Sequence, residues 1–479
     1  MKAFVLRAIP VLVALAGILS VTLWLSATPA FDLKQRIEIA GEGGTRQVKV
    51  SFPGQFQAGD GQPADLRGSW PRFRGRHYDA VGTETVALAR AWPQGGPKAL
   101  WSIPVGLGYA GSAVNRGRVY LLDYDETRHA DALRCLSLED GREIWRRWYA
   151  IPVDSDHGMS RTVPAVTDRS VVTFGPKCHV MCVNAETGDF RWGIDLVKDY
   201  GAKVPKWYAG QCPLIDGEVA ILAPVGKEVL MMAVTCESGG EVVWTAPNRR
   251  GWKMTHSSII PMDLGWRRLY LYCASGGLVG VAAEDGDNQK AGDILFEFDQ
   301  WRVRFANVPS PVVIGNGHVL LSGGYGSGSM MVRIVEEGGR LVCKTVWRKE
   351  KPAEFGSEQQ TPVFYKGHIF GVLPKESRSL GEQLICMNLE AKHVWRSGRA
   401  NRFGLGSYLI ADGMIFVMDD EGVLTLAEAT SEGYKQLARA KVLADAHETW
   451  APLALAGGRL LVRDLRKLVC LDVRETRRE

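Results

Sequence analysis

The sequence has no long acidic tail, no polar low-complexity tract and no concentrated basic stretch. Its 58 basic and 53 acidic residues leave a formal charge of +5, too evenly matched for the basic face that nucleic acid requires. Nucleic acid is therefore not expected as a partner. Charged residues make up only 23% and apolar residues 46%, which excludes a disordered chain. The 54 glycines and 22 prolines follow no collagen period and read as turns. No cysteine stands directly after the apolar N-terminal run, which speaks against a bacterial lipid anchor there.

What is present begins with that run. Lys2 and Arg7 precede 18 uncharged residues, Ala8 to Leu25. This is just long enough to cross a bilayer and long for a signal-peptide core, and Thr28-Pro29-Ala30 is a weak cleavage site. Residues 1–30 are expected to form a signal peptide or signal-anchor helix. The anchor is favoured, with the membrane a partner through it. Positive charge on the N-terminal side sends the rest outward, to the periplasm or the cell surface of a bacterium. Residues 31–68 read as a polar, Gly-rich membrane-proximal stalk, and 69–479 as one domain.

That domain repeats itself. A turn followed by an apolar strand recurs eight times, as in AVNRGRVYLLD from Ala113, PVVIGNGHVLLSG from Pro311 and LIADGMIFVMD from Leu409. A second piece follows, a strand, an acidic-Gly turn and a strand ending in an aromatic ring. It reads EDGREIW to Trp145 and ETGDFRW to Trp192, then runs on to Trp244, Phe296, Trp347 and Trp395. Successive copies lie about 50 residues apart, a period that marks repeat architectures. Each unit is a meander of about four antiparallel strands. Such a unit cannot bury both faces alone, so the units stack radially. The recurrent Trp is expected to fill the gap between neighbours. The segment around Trp101 should complete the last sheet and close the circle. The fold class is all-β: an eight-bladed β-propeller of four-stranded antiparallel blades, preceded by an apolar helix.

The nine cysteines fit the same repeat. Cys135, Cys182, Cys386 and Cys470 occupy one strand position in different units, so they read as small buried apolar groups too far apart to bond. Cys178 and Cys182 have a metal-like gap, but no second ligand pair accompanies them; packing is expected and no metal site is read.

The units resemble the pyrroloquinoline-quinone-type (PQQ-like) propeller repeat, with turns such as ETGDFRW, and the opening SWPRFRGRHYDAVG (Ser69 to Gly82) resembles a segment common in a bacterial, exported or membrane-anchored branch of that superfamily. The resemblance covers nearly all of 69–475. It implies one of two functions. Quinoprotein dehydrogenases hold PQQ with Ca²⁺ in the central funnel, beside a ring of two adjacent cysteines, with an Asp as base. This sequence has no adjacent cysteine pair, and it is shorter than such enzymes. The other members are non-catalytic scaffolds, such as the outer-membrane-assembly lipoprotein, whose rims and funnels bind partners. The expectation is a non-catalytic exported binding scaffold without cofactor, holding a protein partner or small ligand at the channel mouth. The alternative is a PQQ-dependent alcohol or sugar dehydrogenase with a divergent funnel.

Residues just before each innermost strand should converge at one mouth. They are Tyr109, Arg161, Tyr208, Gln211, His256, Asn307, Gln360 and Trp450. Rings, amides and a guanidinium gathered in a concave mouth are the ligand-site hypothesis; ordered water in a wet channel is the alternative. GGYGSGS (Gly323 to Ser329) lies between two strands and reads as a hairpin, not a phosphate loop. Pro224-Val225-Gly226-Lys227 lacks the rest of such a loop. His256-Ser257-Ser258 does not read as a hydrolytic pair, because neighbours on a strand face opposite ways. Asp156-His157 is too thin for a metal site.

Overall fold

The computed structural model describes residues 14–23, 50–154, 159–286, 288–351 and 354–475. The chain divides into two units, 1–47 and 48–479. In the first, the described part is a helix over 14–23. Among the described residues no helix is long and apolar enough to cross a membrane. The expected bilayer-spanning anchor is thus a short helix as far as it is described, and attachment through it gains no support from the structure.

The second unit is an all-β propeller. Blade 1 holds strands Ser112–Asn115, Arg118–Asp125, Ala130–Ser137 and Glu143–Ala150. Blades 2 to 7 repeat the meander, their innermost strands being Ala165–Val166, Leu214–Asp216, Ile260–Asp263, Val312–Gly315, Val363–Tyr365 and Tyr408–Ala411. Blade 8 takes Ala454–Ala456, Arg459–Arg463 and Lys467–Asp472 from the C-terminal end and Lys98–Pro104 from the N-terminal side. Trp101 pairs there with Cys470, so the first part of the domain completes the last sheet and closes the ring. An extra strand, Gln55–Ala58, pairs antiparallel with the outer edge of blade 1.

Local chemistry explains each blade. The turn between the first two strands of blade 1 has positive φ at Arg116 (48°) and Gly117 (69°), the two-residue geometry whose twist matches antiparallel strands. The X-Gly pair recurs at several blades for this reason. The strands that follow are almost wholly buried, as Val219–Leu222 and Met414–Met418 show. They stand between neighbouring sheets, so neither face needs polar side chains.

The seams join two signals that the sequence shows apart. The indole N–H of Trp101 donates to Leu138 O of blade 1 (3.0 Å), Trp145 of blade 1 to Glu186 O of blade 2 (2.9 Å), and Trp192 to Cys236 O of blade 3 (3.0 Å). Trp347 and Trp395 donate to Leu389 O (2.8 Å) and Thr430 O (2.7 Å) in the same way. Each ring of the first three lies over the glycine of the next blade's acidic turn. A Cβ on Gly188 would sit 2.7 Å from Trp145, and Gly188 has φ of 73°. Gly188→Ala therefore combines backbone strain with a collision, and is expected to cost about 2–3 kcal/mol in urea denaturation. A loss within about 0.5 kcal/mol, ordinary for a neutral surface change, would mean the seam has slack.

All nine cysteines are free. Cys135, Cys182, Cys386 and Cys470 sit buried on the third strands, and Cys178 lies 3.9 Å from the sulfur of Met254.

The opening segment crosses the centre. Trp70 exchanges two 2.8 Å backbone bonds with Val114 of blade 1, and Pro71 O accepts from Val166 N of blade 2 (2.8 Å). Arg72 reaches Ile215 O of blade 3 (3.1 Å), and Arg74 reaches Thr361 O and Pro362 O at blade 6 (both 2.8 Å). Ala80 O accepts from Ile410 N of blade 7 (3.0 Å), and Glu84 accepts from Gly458 N of blade 8 (2.8 Å). One segment thus ties six blades together across the axis.

Candidate functional site

A cavity of about 240 Å³ lies at the end of the channel where the innermost strands begin. Phe73, from the crossing segment, forms its floor. Tyr109, Arg161, His256, Gln360 and Trp450 line it, five of the eight residues expected to converge. At the other three positions the parity slips. Trp207 lines the cavity while Tyr208 turns away and donates its hydroxyl to Asp154 O (2.7 Å). Gly210 and Cys212 line it while Gln211 is fully buried, its amide closing on Ala223 N and O at 3.0 and 3.1 Å. Ala306 and Val308 line it while Asn307 is buried and its carbonyl accepts from His256 N (3.1 Å). Alternation along extended chain explains the second and third, because a side chain one place on faces the other way, whereas Trp207 and Tyr208 lie in a turn with positive φ (64° and 69°). Asp156-His157 lies outside the described residues.

Several lining residues were not among those expected to converge, and three of them matter to the site's chemistry. Phe73 belongs to the opening motif, Tyr325 to the glycine-rich hairpin between Gly323 and Gly328, and Glu358 stands two places before Gln360. The last could have been found by extending the period of two.

A relay of backbone donors and side-chain acceptors holds the mouth. Val163 N donates to Cys212 Sγ (3.3 Å), Cys212 N to Ser258 Oγ (3.0 Å), Ser258 N to Ser310 Oγ (2.9 Å) and Ser310 N to Thr361 Oγ1 (3.0 Å). The four bonds link blades 2 to 6. Ser258 faces the cavity but its oxygen is an acceptor in this chain, and Ser257 is fully buried.

The walls are aromatic and ordered by charge. Tyr109 stacks on Trp450 (5.2 Å, 17°) and donates its hydroxyl to Glu448 at 2.6 Å. The Arg161 guanidinium lies 5.1 Å from the Tyr109 ring centre. Trp450 donates Nε1 to Asp420 (2.9 Å), and Gln360 donates to Trp450 O (2.8 Å). Burial, then the Arg161 charge, pulls His256 down to about 4, so it is neutral at pH 7. Burial, then Glu376, pushes the Glu358 carboxyl up. Among the described residues Glu358 is the one carboxylate lining the cavity. Among the described residues no three His, Cys, Asp or Glu side chains gather as metal ligands.

A closed eight-bladed ring with a floored mouth is the PQQ-like propeller architecture. A family model, PQQ_2, described as outer membrane protein assembly factor BamB, matches residues 129–378, just over half of the chain. The chain belongs to this family. No curated protein sequence matches it significantly. Among solved structures it is similar to a europium-containing methanol dehydrogenase (TM-score 0.57, 13% identity, covering 82% of this chain and 89% of that one). It is also similar to BamB from Moraxella catarrhalis (0.51, 13%, 78% and 99%) and to the computationally designed Ika8 protein (0.51, 9%, 78% and 100%). At such identities the likeness is one of fold, and the fold serves proteins of unlike use.

Proposed function

We propose that this chain is a non-catalytic, exported binding propeller that holds a partner in its mouth cavity. The observation that carries the reading is the cavity's chemistry. Rings from separate parts of the chain surround a few fixed polar groups over a solid floor, the pattern of a recognition site. Among the described residues the inward hydroxyl beside the histidine, Ser258, is committed to the relay, and the Cys212 thiol, an acceptor in it, is pushed up by burial to about 11, which speaks against a ready nucleophile and base. Among the described residues a single carboxylate lines the cavity in place of a ligand set, which speaks against a Ca²⁺-bound quinone there. The family's description as an outer-membrane assembly factor supports a protein partner. Lys2 and Arg7 ahead of the apolar run support export.

The test is capture from solubilised membranes, followed by reconstitution of the captured protein with purified full chain. Trp450→Ala is expected to weaken the reconstituted complex at least ten-fold. An unchanged affinity would remove the mouth from the interface. Stoichiometric quinone retention with Ca²⁺ and alcohol-dependent dye reduction would overturn the non-catalytic reading outright.

A further inference from the structure

The cavity has an electrostatic polarity that names its occupant. At about 240 Å³ it falls short of the 300–1,000 Å³ of ordinary small-ligand pockets, but it accepts one long side chain. Among the described residues four carboxylates stand around it against three cations, Arg161, Lys375 and Lys206, the last 4.6 Å from the Trp207 ring. Three of the four are occupied. Glu448 accepts from Tyr109, Glu376 from Gly326 N (2.8 Å), and Asp420 from Trp450 and Leu405 N (2.7 Å) while pairing with Lys375 at 3.2 Å. Glu358 differs. Its carboxylate accepts from the Lys375 backbone N–H and feels the Lys375 charge, but Oε2 is buried and accepts no hydrogen bond. A buried carboxylate oxygen without a partner is a costly arrangement unless a cation arrives.

The geometry around Glu358 suits that arrival. Tyr325 and Trp450 share the cavity with it, and aromatic faces attract cations. Arg161 enters from the start of blade 2, whereas Glu358 enters before blade 6, across the eight-membered ring. Like charge at one wall and a carboxylate with one unpartnered oxygen at the other orient a cationic guest one way only. An anionic guest would meet Glu358, Glu376, Asp420 and Glu448 together.

We infer that the cavity takes a cationic side chain, a lysine or arginine carried on a partner's loop, and seats its charge against Glu358 with its stem along Tyr325 and Trp450. This rests on the binding reading above and adds the chemistry of the guest.

The experiment titrates the full chain with acetyl-Gly-Lys-Gly-amide, its norleucine and glutamate counterparts, and n-butylammonium, followed by calorimetry. The lysine peptide is expected to bind at least ten-fold tighter than the norleucine one. Glu358→Gln is expected to erase that ratio without lowering Tm, since it removes a buried charge from the free chain. Tyr325→Leu should weaken both peptides. Equal affinities for lysine and norleucine, or a ratio that survives Glu358→Gln, would overturn the inference. Butylammonium binding as tightly as the lysine peptide would overturn the partner-borne source and leave a free organic cation. A glutamate peptide that binds tightest and is lost in Arg161→Gln would sink the cation while keeping the binding site. Silence from every probe would count against both.

Discussion

Replacing Arg74 by methionine is expected to cost the propeller about 3–5 kcal/mol, the range for stripping a buried charge network of its centre. Arg74 is 5% exposed and spans two parts of the chain. Its Nε donates to Tyr78 O (2.9 Å), Nη1 to Thr361 O (2.8 Å), and Nη2 to Asp79 O (3.1 Å) and Pro362 O (2.8 Å). Burial lowers its pKa only to about 10, so it stays charged at neutral pH. Methionine keeps much of the volume and removes every donor. Two carbonyls inside the segment and two at blade 6 are then left without their partner, each at about 1–3 kcal/mol before relaxation. Lysine should recover little, because a point charge cannot fill four carbonyls in a plane. Urea denaturation gives the loss. Proteolysis within 69–82 should quicken in parallel, because the crossing segment loses its tie to blade 6. A loss under about 1 kcal/mol, that of one ordinary hydrogen bond, would show that strand pairing alone holds the segment.

This arginine also marks where the sequence stops being legible. The blades could be read because their causes are local. A φ-positive turn at Gly117, a strand, an acidic-Gly turn and a Trp recur within about 50 residues, and each has a short-range reason. Closure through Trp101 followed from counting strands. The contact between Trp145 and Gly188 was not visible, since two repeated signals do not say that one blade's ring covers the next blade's turn. Arg74 meets residues 287 and 288 places away, and nothing in its own neighbourhood announces that. The mouth was half legible. Its location follows from strand direction, but the face of each residue depends on the phase of an irregular approach. There one place decides between Trp207 and Tyr208. The period of two from Gln360 reaches Glu358, but nothing in the sequence places Tyr325 and Trp450 beside it.

The second large effect is one of pH. Asp131, on the third strand of blade 1, has no exposed surface. Tyr149 donates its hydroxyl to one carboxylate oxygen at 2.7 Å, and the other has no hydrogen bond. Burial above all, with the nearby Asp123 charge, pushes the carboxyl up to about 7, against the pull of Tyr149 and Ser160. Phe52 packs edge-on to Tyr149 at 5.1 Å and lies 5.9 Å from Phe190, so residues ahead of the added edge strand cover the site. The folded pKa stands above the unfolded value of 3.8. The folded chain therefore holds the proton more tightly, and the stability this gives is complete below pH 3.8. It declines as pH rises and is gone once pH passes 7. The span amounts to on the order of 4 kcal/mol. His179, whose ring lies 5.8 Å from Tyr149 and 3.5 Å from Asp195, is held below its usual pKa mainly by burial, so it destabilises in the opposite direction on acidification. Comparing Asp131→Asn with the parent cancels that contribution, since both chains carry it. The amide keeps an acceptor for Tyr149 and carries no charge to bury. The variant should match the parent near pH 4 and exceed it progressively, reaching its full advantage at pH 8. Urea midpoints taken at pH 4, 6 and 8 measure the divergence; curves that stay parallel would mean Asp131 keeps an ordinary carboxylate pKa inside the fold.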